Sequence, residues 1–198
     1  MENFEKQAKE RGFQCIAGVD EAGRGPLAGP VAAAAIVLPQ DHDLAGLDDS
    51  KKLTEERRDF FYEKLTQMTD LWFVAVVDSP CIDEINILQA TRLAMKQAVE
   101  KLKRLPDLVL VDGNQRIDIE PEQQTLVKGD QRCLSIAAAS VLAKVTRDRL
   151  MQDYHRQYPH YGFDQHKGYG TKLHLARIRE HGPCEIHRKS FKGVKEYL

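Results

Sequence analysis

Apolar residues follow two periods along the chain. Short apolar runs bounded by turn residues alternate with longer stretches whose apolar positions recur every three or four residues. The short runs cover residues 13–20, 31–38, 71–77, 108–111 and 122–127, and each has the length of a strand. The run from Val31 contains four successive alanines, which also suit a helix. Its β-branched residues and the flanking Pro30 and Pro39 favour a strand in a sheet covered on both faces. The connection between the first two runs is short, so an antiparallel hairpin is expected.

The longer stretches predict helices over residues 54–68, 83–105, 133–158 and 173–181. Thr54 is the expected N-cap of the first, with Glu55 and Glu56 favourable in its opening turn. The second carries Ile85, Leu88, Leu93, Met95, Val99 and Leu102 near one face and stops at Pro106. Gly182-Pro183 closes the last. Residues 1–12 are polar, with one short helical turn, and residues 160–170, rich in Gly, Tyr and His, read as a loop.

Composition narrows the class. A chain of 198 residues, 42% hydrophobic and 30% charged, is expected to form one soluble globular domain spanning residues 1–198. No apolar run approaches the ~18 residues of a membrane span. The first residues lack the apolar core of a signal peptide. Cys15, Cys81, Cys133 and Cys184 have no metal-type spacing and read as reduced thiols, so a cytoplasmic protein is expected. The formal net charge is −1, but it is unevenly spread. Residues 1–130 carry 16 Lys/Arg against 24 Asp/Glu; residues 131–198 carry 13 against 6, with six of the seven histidines. A cationic final third suits a grip on a phosphate backbone, or is an uneven solvated surface.

The candidate chemistry centres on residues 18–30, Gly-Val-Asp-Glu-Ala-Gly-Arg-Gly-Pro-Leu-Ala-Gly-Pro. Asp20 and Glu21 lie at the end of the first strand, Asp112 at the end of the fourth, and Asp130 after the fifth. Singly, each is an ordinary cap or turn residue. Together, four carboxylates at one rim would repel one another unless cations lay among them, and oxygen ligands suit Mg²⁺ or Mn²⁺. Two ions ~3.5–4 Å apart are what metal-assisted phosphoryl transfer requires. Neighbouring strand residues point to opposite faces, so the first strand is expected to end or twist at Asp20-Glu21. Lys51 and Lys52 precede a helix start, and Lys144 and Arg147 share a helix face with Ser140. These, with His166 and Lys167, are candidate phosphate contacts or solvated charges. His155, His160, His174 and His181 read as surface residues. Residues 20–30 contain no phosphate-loop pattern ending in Gly-Lys-Ser/Thr.

The opening motif resembles that of type 2 ribonuclease H, the ribonuclease HII family. The resemblance extends over residues 16–195 through Asp49-Ser50-Lys51-Lys52-Leu53, Ile82-Asp83-Glu84-Ile85-Asn86, Val111-Asp112-Gly113-Asn114 and Val127-Lys128-Gly129-Asp130. It continues through the stretch from Ala137 to Asp148 and through His166-Lys167-Gly168-Tyr169-Gly170-Thr171. Arg188-Lys189-Ser190-Phe191 resembles a family Arg-Arg-Ser-Phe pattern, with Lys189 departing from it. The resemblance implies a ribonuclease H-like α/β fold: a mixed five-stranded sheet, its first three strands antiparallel, flanked by helices, with residues from about 160 to 198 as a C-terminal helical cap. It implies an endonuclease that uses Mg²⁺ or Mn²⁺ to cut RNA in RNA–DNA hybrids and 5′ to single ribonucleotides in duplex DNA, acting as a monomer. Asp20, Glu21, Asp112 and Asp130 would hold the metal. Gly23, Arg24 and Gly25 would lie on the ribonucleotide sugar, and Tyr169 under the next, deoxy sugar. A non-catalytic hybrid-binding protein and another nuclease of the same fold remain alternatives.

Overall fold

A computed structural model describes residue 2 and residues 4–198. Five strands, β1 (Ile16–Ala22), β2 (Val31–Val37), β3 (Trp72–Val77), β4 (Leu108–Asp112) and β5 (Glu122–Leu126), form one sheet in the order β3-β2-β1-β4-β5. The β1–β2 and β2–β3 pairs are antiparallel; β1–β4 and β4–β5 are parallel. The mixed sheet and its antiparallel first three strands agree with the sequence reading.

The alanines of β2 explain how helices cover both faces. Successive strand residues point to opposite sides. Ala33 and Ala35 pack with Ala90, Ala94, Ala98 and Val99 of α3 (Ser79–Glu100). Ala34 and Ile36 pack with Ala137, Ala138 and Val141 of α5 (Leu134–Gln157), together with Phe61 and Leu65 of α2 (Glu55–Met68). Thr54 caps α2 as expected, its side chain accepting from the Arg57 amide. The second helix departs from the sequence reading. It begins at Ser79, capped by Asp78, and ends at Glu100, with a break at Asn86, whose φ is 67°. The Asn86 side chain accepts from the Leu88 and Gln89 amides and so restarts the helix.

Further elements are α1 (Phe4–Glu10), α4 (Gly129–Arg132), α6 (Phe163–His166) and α7 (Lys172–His181). α6 lies within the stretch expected to be loop, and a 3₁₀ turn over Pro159–Tyr161 overlaps its start. His174 of α7, expected at the surface, is fully buried, because Phe163 and two further imidazoles enclose it. The four cysteines are free thiols. No helix among the described residues is long and apolar enough to cross a membrane.

β1 is clamped directly by the start of α5. A Cβ built on Gly18 would lie 2.2 Å from the Ser135 carbonyl carbon, backbone that cannot retreat without moving the whole helix. Gly18→Ala is therefore expected to destabilise the fold by about 2–3 kcal/mol, the scale of an overpacked core, read as a lower urea midpoint at unchanged m-value.

Candidate active site

Asp20 and Glu21 both lie inside β1, paired with Ala34 and Ala33 of β2. The strand runs one residue past them, to Ala22. The β1–β4 ladder ends sooner, at Val19↔Val111. Beyond that pair the β4-side edge of β1 is open, and carboxylates from both faces of the pleat reach the gap. There Asp20, Glu21 and Asp112 each place one oxygen so that all three lie within 4.8 Å of one another. Asp112 Oδ1 accepts from the Gly129 amide at 2.7 Å, which ties the end of β4 to α4. Asp130, the second residue of α4, lies outside this trio; its carboxylate is 3.5 Å from Lys51 Nζ.

The electrostatics fit cation binding. Asp20 is 3% exposed. Burial, then the neighbouring charges of Glu21 and Asp112, push its pKa well above the usual carboxylate range. Burial also raises Glu21 and Asp130, against the opposing pull of Arg24 on the first and Lys51 on the second. Oxygen-only donors, crowded and mutually repelling, suit a hard divalent cation.

Beside the trio runs a groove of about 410 Å³ lined by Glu21, Gly23, Arg24, Gly25, Ser50, Lys51, Arg58, Ser140, Lys144 and Tyr169. Ser140 Oγ and Ser50 Oγ lie 2.7 Å apart at its base. Lys144 donates to Asp148 at 2.8 Å and Lys52 to Asp48 at 3.1 Å. Tyr169, 45% exposed, stands across from the Gly-Arg-Gly turn; a Cβ on Gly25 would lie 3.7 Å from its ring.

The turn is held from below by two arginines that sequence reasoning did not place there. Arg147 is 1% exposed and donates to the carbonyls of Pro30 (2.9 Å), Lys167 (3.0 Å) and Ala28 (3.1 Å). Its expected role as a phosphate contact is thereby corrected: all three nitrogens face protein carbonyls. Arg188, fully buried, donates to the carbonyls of Gly29 (3.0 Å), Arg24 (2.9 Å) and Gly23. Burial and then the neighbouring Arg147 charge lower Arg188 to about 9, so it is still a cation at neutral pH. A Cβ on Gly23 would fall 2.0 Å from Arg147 Nε, so only glycine fits. The peptide unit is planar and trans, with C=O and N–H opposed. Carbonyls of Gly23 and Arg24 turned inward to Arg188 therefore turn the amides of Arg24 and Gly25 outward to the groove. Of Arg188-Lys189-Ser190-Phe191, the arginine holds the turn, while the Lys189 and Ser190 amides are fixed by Asp83 at 2.8 and 2.9 Å. The departure at Lys189 thus falls where the backbone carries the contact.

His166 is likewise corrected from phosphate contact to buried support, 8% exposed. Its Nδ1 accepts from the Gly168 amide, so Nε2–H donates to the Tyr161 carbonyl at 2.8 Å. The Lys167 ammonium donates to the Asp164 carbonyl. The Cys184 amide donates to His187 Nδ1 at 2.9 Å; His187 Nε2–H then donates to His174 Nε2 at 3.1 Å; His174 Nδ1–H donates to the Tyr169 carbonyl at 3.0 Å. This chain has donors and acceptors in register only when both imidazoles are neutral. Burial lowers each of them to about 4.

A family model described as Ribonuclease HII matches residues 17–194. The chain is 56% identical over 197 residues to a ribonuclease HII of Geobacter sulfurreducens, covering 99% of this chain and 90% of that one. It is 53% identical over 195 residues to that of Geobacter metallireducens, covering 98% and 92%. The crystal structure of the ribonuclease H2 from Pyrococcus horikoshii superimposes with a TM-score of 0.77 at 26% identity, covering 93% of this chain and 97% of that one.

Two outcomes follow from the supports. Lys cannot reproduce a three-way guanidinium contact. Arg147→Lys should lower stability by about 2–4 kcal/mol and speed amide hydrogen exchange across residues 23–30; unchanged exchange there would refute the cradle. Below the ordinary histidine pKa of 6.5, the unfolded chain takes up protons that His174 and His187 refuse until about pH 4. Their contribution is complete above pH 6.5 and falls away toward pH 4. The urea midpoint should drop between pH 7 and pH 5, and drop less in His174→Gln. On its sequence matches and its fold, this chain belongs to the ribonuclease HII family of hydrolytic endoribonucleases.

Proposed function

We propose that the protein hydrolyses the RNA strand of RNA–DNA hybrids and incises 5′ to single ribonucleotides in duplex DNA, leaving 3′-OH and 5′-phosphate ends. One observation carries this reading. A carboxylate trio converges within 4.8 Å, and one of its members, Glu21, lines a groove whose other walls are an amide-presenting Gly-Arg-Gly turn and an exposed tyrosine.

Asp20, Glu21, Asp112 and Asp130 are the residues that would hold two Mg²⁺ or Mn²⁺ ions. Such ions supply an activated water and stabilise the charge on the leaving oxygen. The chain's own groups do the rest. The outward amides of Arg24 and Gly25 donate to a ribose 2′-OH, the group that separates RNA from DNA. The Tyr169 ring offers a flat surface to the following sugar, where an added 2′-OH would crowd it. Lys51, Lys52 and Lys144 supply the charge that holds the phosphate backbone, beside the Ser50–Ser140 pair. Arg147 and His166 act beneath the surface and touch no phosphate.

The discriminating substrate is a DNA duplex with one ribonucleotide, compared with a continuous hybrid. Asp20→Asn and Asp112→Asn should each lower cleavage of both by at least ~10²-fold while circular dichroism stays that of the wild type. Tyr169→Ala should lose about tenfold more on the single-ribonucleotide duplex than on the hybrid, the scale of one lost stacking contact. Equal losses on the two substrates would show that Tyr169 reads no junction.

A further inference from the structure

The groove holds two cations that lie on site carboxylates. Arg24 Nη1 is 3.3 Å from Glu21 Oε1, and Lys51 Nζ is 3.5 Å from Asp130 Oδ2. The second pair is the more informative. Asp20, Glu21 and Asp112 converge within 4.8 Å, whereas Asp130 does not join them. An ammonium stands against its carboxylate instead.

The placement of Lys51 is built rather than incidental. Asp49 is 4% exposed. Its Oδ1 accepts from the Lys51 amide at 2.9 Å, and its Oδ2 from Gln131 Nε2 at 3.4 Å. Gln131 follows Asp130 on α4. One buried carboxylate therefore ties the loop that carries Lys51 to the helix that carries Asp130. The Lys51 side chain is itself 76% exposed, and its charge faces Asp49, Asp130 and Asp20. Its root is fixed and its head is free to move.

We infer that Lys51 is a placeholder cation. Without nucleic acid its ammonium neutralises Asp130; a backbone phosphate entering the groove draws the ammonium away, and Asp130 becomes a ligand for a divalent ion. Nucleic acid and the ion at Asp130 then favour each other's binding, because linkage is reciprocal. The inference rests on reading the carboxylates as a metal site, and the two are separable by experiment.

The test is Mn²⁺ binding to the intact, nucleic-acid-free protein, followed by the electron paramagnetic resonance of free Mn²⁺. Lys51→Met keeps the stem and removes the charge. It should gain an additional Mn²⁺ or bind Mn²⁺ about tenfold more tightly than the wild type, as expected for removal of one charge at this range. Asp130→Asn should change little in the wild-type background and should abolish the gain in the Lys51→Met background. Lys52→Met, the same charge change one residue on, should leave Mn²⁺ affinity within about twofold of the wild type, since its ammonium lies on Asp48. A Lys51→Met protein that binds Mn²⁺ like the wild type overturns the inference. So does a gain that survives Asp130→Asn, or one that Lys52→Met reproduces. Asp112→Asn should lose Mn²⁺ binding in either background; if it does not, the metal-site reading itself fails, whatever Lys51 does.

Discussion

Two guanidinium groups are buried close together, neither in an ion pair among the described residues, and the fold around residues 23–30 exists on their terms. Burying an unpaired cation is costly. The cost is offset only because Arg147 and Arg188 each find three carbonyl acceptors. Five of those six carbonyls belong to the turn over residues 23–30, and the sixth is that of Lys167, so the arginines and the turn satisfy one another. Glycine at position 23 follows from the same contact, since a side chain there would displace Arg147. Backbone bonds from Leu27 to Gly168, from Gly29 to Ile186 and from Arg188 to Leu27, each 2.8 Å, complete the seam. The direction in which the turn's amides point is thus a consequence of what lies beneath them.

The carboxylates obey a different constraint. They are placed by the sheet: a parallel ladder stops one residue before Asp20, and the Gly129 amide holds Asp112 across the gap. Desolvation and mutual repulsion raise Asp20 and Glu21, so the trio is under-neutralised without added cations. Arg24 and Lys51 are the positive groups that lean on this rim from the groove. Groups suited to hold nucleic acid and groups suited to hold metal are therefore electrically coupled before either arrives.

The sheet was legible in the sequence because its periodicity is strong. Covered strands such as 31–37 read as unbroken apolar runs, and the Gly/Pro flanks of β2 decided strand over helix. The break at Asn86 was not legible, since an asparagine inside an apolar helical pattern carries no sign of a positive φ. Among the site residues, Asp20, Glu21 and Asp112 are visible because each carboxylate abuts an apolar run. Arg147 looked like Lys144, three residues earlier, because spacing alone cannot separate a charge that faces solvent from one that faces carbonyls. His166 and His174 were misread for a related reason: polarity predicts exposure, and a complete hydrogen-bond chain cancels that prediction. The nearest available signal was density, five of the seven histidines within residues 160–187 beside Tyr161 and Phe163. That clustering is more than a surface would need.

The two halves of the site therefore depend on different parts of the chain. The carboxylate trio needs β1, β4 and the single turn of α4, all within the first 132 residues. The amide-presenting turn needs Arg188, 165 positions from Gly23, and Tyr169 is anchored through Lys167 to Arg147 and through His174 to His187. Docking of the final third closes a contact of very long sequence separation, whose loop entropy must be overcome before it contributes. Loosening the contacts of residues 166–188 should disturb the Gly-Arg-Gly turn and Tyr169 before it touches the arrangement of acids. In this chain the carboxylate trio is placed by the sheet, and the Gly-Arg-Gly turn and Tyr169 are placed by the seam between residues 23–30 and 166–188.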